Sequence, residues 1–167
     1  MKKIIIHWTA GGNKPNTTDK QHYHYVIDAE GNVDIGKFTV SANEICKADA
    51  KNNALYAAHC GGGNTGAIGI ALCGMAGFKN FKNVGKYPLT KVQCERAFKL
   101  VAELAKKYNI KISSDTVMTH YEFGLKNPKT SSAGKIDIIY LPPYPTVKAS
   151  KIGDLFRSKA RWYRSKM

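Results

Sequence analysis

Lys2-Lys3-Ile4-Ile5-Ile6-His7-Trp8 opens the chain with a run of β-formers that stops at a histidine. Three consecutive isoleucines leave neither face polar, the pattern of a central strand buried on both sides. A second run of this kind is Gly66-Ala67-Ile68-Gly69-Ile70-Ala71-Leu72-Cys73, whose glycines predict close approach of another group to the backbone. Between the two, His22-Tyr23-His24-Tyr25-Val26-Ile27 alternates. It leads through the turn Asp28-Ala29-Glu30-Gly31 to Asn32-Val33-Asp34-Ile35, which predicts a hairpin. A further strand is expected over 116–120, closing on His120.

The clearest helix spans 91–108. Thr90 and Gln93 form a capping box, and Cys94, Ala97, Phe98, Val101, Ala105 and Tyr108 recur at helical spacing. Residues 121–147 hold Pro128, Pro142, Pro143 and Pro145 and read as irregular. The tail, 151–166, is helical again, with Ser150 as its expected cap and Ile152, Leu155, Phe156, Ala160 and Tyr163 as one apolar stripe. Strands alternating with helices predict an α/β fold, a single domain with a central mixed β-sheet flanked by helices.

Composition narrows the class. At 43% hydrophobic and 23% charged residues over 167 positions, the chain is globular rather than disordered and fits one domain. No apolar run approaches the ~20 residues of a transmembrane helix. After Met1-Lys2-Lys3 the apolar run meets His7 at once, so no export signal is read and the chain is expected to be cytoplasmic until released. Cys46, Cys60, Cys73 and Cys94 form no C-x-x-C and are expected to be free thiols. The net charge is +14, concentrated in two blocks: residues 61–110 hold eight basic and two acidic side chains, and residues 148–167 hold seven and one. Such a surface favours polyanions, among them nucleic acid, anionic lipid and acidic cell-wall polymers.

Histidines are the first place to look for chemistry. His7 and His120 each close a β-run, and side chains at strand ends converge in open α/β sheets. Two histidines and a carboxylate or thiolate form the ligand set of a catalytic zinc with one open position. Asp137, beside Lys135 in Gly134-Lys135-Ile136-Asp137, is the best third candidate. Glu122 lies too near His120 along the chain, and Asp115 falls at the far end of the strand. The alternative is that both histidines are ordinary hydrogen-bonded residues at a sheet edge.

Taken together, these segments resemble the zinc-dependent N-acetylmuramoyl-L-alanine amidases of the second type, which include amidase-type phage lysozymes and peptidoglycan recognition proteins. The resemblance is carried by Ile4-Ile5-Ile6-His7-Trp8-Thr9-Ala10, by Tyr23-His24-Tyr25-Val26-Ile27-Asp28 with Gly31-Asn32-Val33, and by Ala58-His59. It continues through Asn64-Thr65-Gly66-Ala67-Ile68-Gly69-Ile70 with Gly74, and Thr119-His120 followed by Lys135-Ile136-Asp137. It implies one Zn2+ per chain on His7, His120 and Asp137, with Tyr23 and Lys135 as catalytic residues and His59 and Asn64 lining the substrate groove. His24 and His22 are read as packing or hydrogen-bonding residues. Two departures stand out: Ala71 occupies the position of a glutamate base found in some muropeptide amidases, and Ile138 replaces a proline after the third ligand.

On this reading residues 1–147 are the amidase catalytic domain and 148–167 a basic C-terminal helix packed on it. The expected activity is that of an endolysin: zinc-activated hydrolysis of the amide between N-acetylmuramic acid and L-alanine, the wall being reached on release at lysis. The alternatives are a non-catalytic peptidoglycan-binding module and a cytosolic muropeptide-recycling amidase. Peptidoglycan is the expected partner, with an anionic envelope or membrane surface meeting the basic tail, and a monomer is the default. A specific nucleic-acid partner is not expected, because no zinc finger, RNP-like motif or helix-turn-helix is present.

Overall fold

A computed structural model describes residues 1–167. The isoleucine run forms the middle of the molecule. Strand β1 (Lys3–Trp8) is flanked by two strands, both parallel to it: β4 (Ala67–Leu72) on one side and β5 (Val117–Thr119) on the other. The hairpin of β2 (Tyr25–Ile27) and β3 (Val33–Ile35) adds to the far side of β4, giving the order β3-β2-β4-β1-β5 with one antiparallel pair. The mixed sheet read from the sequence is thus present.

Alternation along β1 sorts its side chains. Ile4, Ile6 and Trp8 face the main core with Ile68, Ile70 and Leu72, under helix α2 (Lys91–Lys107). Ile5 and His7 face the other way, Ile5 toward Cys60, Met118 and Phe123. On that second face β4 carries only Ala67, Gly69 and Ala71, the last two paired with Ile5 and His7. Small residues there leave room for imidazoles. A Cβ on Gly69 would lie 2.5 Å from the His59 ring, which is the close approach that its glycine predicts.

Two short helices replace predicted strand or loop. Helix α1 (Thr17–His22) starts at a capping box between Asn16 and Asp19, so His22 ends a helix instead of sharing a strand face with His24. Its exposed ring meets the Ala58 carbonyl at 2.9 Å. His24 is buried: Nδ1 accepts from the Gly69 amide and Nε2 donates to Asn43 Oδ1. Helix α3 (His120–Lys126) occupies the start of the stretch expected to be irregular, capped reciprocally by Thr119 and Glu122.

The tail helix, α4 (Ile152–Ser165), follows directly from a 3-10 turn over Ala149–Lys151, so Ser150 lies within that turn and caps nothing. The stripe Ile152, Phe156 and Ala160 is fully buried in the same core as β1 and β4. Phe156 stacks edge-on against Phe98 of α2 at 4.9 Å. Arg157, 4% exposed, binds Glu122 of α3 through two 3.0 Å bonds and the Val117 carbonyl at 2.9 Å. Gly153 is bare because a Cβ would strike the Glu122 carboxylate. The four cysteines are all free, three of them buried. No helix is long and apolar enough to cross a membrane.

Candidate active site

The C-terminal ends of β1 and β5 bring two histidines together across one strand boundary. His7 is next to last in β1 and His120 is the first residue of α3, and their rings stand 4.6 Å apart, nearly perpendicular. The loop after α3 then returns Asp137 to both. His7 Nδ1 lies 2.8 Å from Asp137 Oδ2, and His120 Nδ1 lies 3.2 Å from both carboxylate oxygens. One ligand atom from each of the three falls within 4.8 Å of the others.

The opposite nitrogen of each ring is also committed. His7 Nε2 meets His59 Nδ1 at 3.0 Å, and His59 Nε2 meets the Ala67 carbonyl at 3.3 Å. This series of three hydrogen bonds ends in acceptors at both extremes, the Asp137 carboxylate and the Ala67 carbonyl. Each link needs one proton, but two neutral imidazoles carry only two between them.

The second histidine repeats the deficit. Ser132 donates its hydroxyl proton to the Gly61 carbonyl at 2.7 Å, so it accepts from His120 Nε2 at 2.9 Å. A neutral His120 then has no proton left on Nδ1 for Asp137. The site is therefore two positive charges short. Two imidazole lone pairs and a carboxylate aimed at one point form a donor set that a divalent cation satisfies. The 2.8 and 3.2 Å spacings from Asp137 to the two imidazoles are close to the ~3.3 Å edge of a tetrahedron with ~2.0 Å bonds.

The local electrostatics show the same demand for positive charge, which a second proton on His120 meets in part. Burial holds His7 below the ordinary imidazole range against the pull of Asp137, and it holds His59 well below that range. Burial opposes charge on His120, but hydrogen bonding to Asp137 and Cys60 outweighs it and raises the group to about 9. Burial also pushes the Asp137 carboxyl up, and the two imidazoles overcome this to hold it at about 2.

A cleft of about 690 Å³ opens over this cluster. Tyr23 forms part of its wall, its ring 5.1 Å from that of His7. Burial first, and then the Asp137 charge, raise its hydroxyl well above the ordinary phenol range, so it remains a proton donor. Lys135 is exposed at the rim of the same cleft. His59 and Asn64 border the cleft too, but their polar atoms point inward. His59 is only 7% exposed with both nitrogens engaged, and Asn64 Oδ1 accepts from the His59 and Cys60 amides at 2.9 Å. Ser132 was not singled out in the sequence, where nothing separates it from Ser131.

The family model for N-acetylmuramoyl-L-alanine amidases matches residues 1–135, and the chain belongs to that family. It is an N-acetylmuramoyl-L-alanine amidase acting on peptidoglycan. The match ends two residues before Asp137. No curated protein matches significantly.

Among solved structures, the N-acetylmuramoyl-L-alanine amidase LysC from Clostridium intestinale URNW is similar at 19% identity and TM-score 0.47, covering 78% of this chain and 75% of its own. The Drosophila peptidoglycan recognition protein SD is similar at 18% identity and TM-score 0.48, covering 78% and 74%.

Proposed function

We propose that this amidase is zinc-dependent and of the endolysin kind, with His7, His120 and Asp137 holding one Zn2+. The observation that carries the metal reading is the paired proton deficit: three acceptors converge where the surrounding hydrogen bonds have used every available proton. A bound zinc ion supplies an activated water and a Lewis acid for the amide carbonyl.

The chain's own groups divide the remaining work. His59 and Ser132 fix the ring tautomers, so that both Nδ1 lone pairs face the carboxylate. Lys135 brings a cation to the rim where the carbonyl oxygen gains charge. Loss of such a stabiliser costs on the order of 10²–10³ in turnover. Tyr23 keeps its proton and donates a hydrogen bond to the reacting centre. Asp137 remains ionised and offsets the metal's charge. A cytoplasmic enzyme that meets the wall on release, acting as a monomer, fits the basic surface better than one recycling small fragments does.

The test is zinc content of the purified chain, paired with release of new L-alanine amino termini from peptidoglycan with and without chelator. One zinc per chain and chelator-sensitive release are expected. Release that survives complete metal removal overturns the zinc assignment, and wall binding with no release makes the chain a recognition module.

A further inference from the structure

A second cleft, of about 470 Å³, adjoins the catalytic one. Phe78 lines both, and the strip of chain from Ile136 to Tyr140 runs from the first into the second: Ile136 and Asp137 border the catalytic side, Ile139 and Tyr140 the other. The two clefts therefore share one wall. The interior of the second is aromatic and aliphatic. Phe81 is 67% exposed, its ring 6.3 Å from that of Tyr140, with Ile139 and Val147 beside them. Lys79 and Lys148 contribute to its lining and are exposed, and no acid lines it. Most of this wall lies beyond residue 135, outside the family match.

An uncovered aromatic face beside a catalytic cleft calls for a ligand. The scissile amide leaves the site in two directions, toward a glycan strand and toward a stem peptide. The catalytic cleft, bordered by His22, Ser131 and Lys135, offers polar partners suited to peptide amides and carboxylates. Sugar rings present C–H faces and acetamido methyl groups to aromatic surfaces, and their oxygens accept from cationic donors. We propose that the second cleft seats an N-acetylhexosamine ring of the glycan strand next to the muramic acid whose amide is cut, stacked on Phe81 and Tyr140, with Lys79 and Lys148 donating to its hydroxyl and acetamido oxygens. This inference rests on the amidase reading.

The test uses the full zinc-loaded chain, wild type and Phe81→Ala, an exposed position where truncation leaves the core intact. Binding of tetra-N-acetylchitotetraose, which carries the acetamido sugars but no lactyl group or peptide, is measured by calorimetry beside binding of the free stem peptide. Cleavage is measured on long peptide-bearing glycan strands and on a single-sugar muramoyl peptide.

The tetrasaccharide should bind wild type and bind Phe81→Ala about tenfold more weakly, the loss expected for one stacking surface. KM on long strands should rise by a similar factor with kcat unchanged, while kcat/KM on the single-sugar substrate stays constant. Absence of tetrasaccharide binding, or binding indifferent to Phe81→Ala, overturns the glycan assignment while cleavage of the single-sugar substrate keeps the amidase reading. Stem-peptide binding that is lost in Phe81→Ala assigns the cleft to the peptide instead. If wild type cleaves neither substrate, the amidase reading falls and takes this one with it.

Discussion

Ser132 has one hydroxyl proton, and the Gly61 carbonyl takes it. That single commitment obliges His120 to donate from Nε2 and leaves its Nδ1 bare toward Asp137. Ser132→Ala removes the acceptor and frees the imidazole to flip tautomer. Zinc affinity should fall about 10–100-fold, as for other partners of metal-bound histidines, and chelator competition on the purified variant would measure it. An unchanged affinity would mean that the tautomer is set elsewhere. Tyr23→Phe separates the other role, because the ring sits beside His7 without a ligand atom in the cluster. Zinc content should stay at one per chain while turnover falls on the order of 10²-fold. Full activity would remove Tyr23 from the mechanism. His7 and His120 were legible because strand ends follow from local β-runs. Ser132 and the inward turn of His59 were not, since a hydrogen bond between residues 12 or 52 positions apart leaves no local pattern.

Glu95 shows what joins the elements. On α2 it accepts from Tyr144 and Tyr163 hydroxyls at 2.6 Å each and from Lys159 at 2.9 Å, so one carboxylate ties α2 to α4 and to the segment before it. Burial pushes its pKa up, but these three donors prevail and hold it at about 2, against 4.5 unperturbed. A depressed carboxylate pKa contributes stability above the unfolded value that is lost as pH falls through the folded one. Wild type should therefore exceed Glu95→Gln in stability at neutral pH, by on the order of 1–2 kcal/mol for a partly solvated charged hydrogen-bond set. The gap should close between pH 4.5 and about 2, read as thermal midpoints across that range. A pH-independent gap would mean that packing, not charge, holds the helix. At this scale α2 was legible from its capping box and apolar spacing. Helices α1 and α3, of six and seven residues, span too few turns for periodicity to emerge. Their capping boxes, Asn16/Asp19 and Thr119/Glu122, emerge only in the fold.

At the scale of the whole molecule the two basic blocks converge. Much of the first lies on α2 and most of the second on α4, and these helices pack together over the sheet face opposite His7. The apolar stripe of α4 is spent on that packing, which leaves Arg161, Arg164 and Trp162, 56% exposed, facing outward. Of the +14 charge, the share carried by these two helices thus sits away from the reacting bond and acts on an anionic wall by drawing the enzyme to it. Screening lengths shrink from about 10 Å at 0.1 M salt to about 3 Å at 1 M, so attraction of this kind fades over that range. Initial rates on intact anionic walls should accordingly fall several-fold between these salt concentrations, with the loss in apparent KM. Rates on a small neutral muramoyl peptide should hardly change, because it gains nothing from long-range steering. Equal salt sensitivity on both substrates would place the relevant charge in the catalytic cleft, at Lys135, and not on the paired helices behind the sheet.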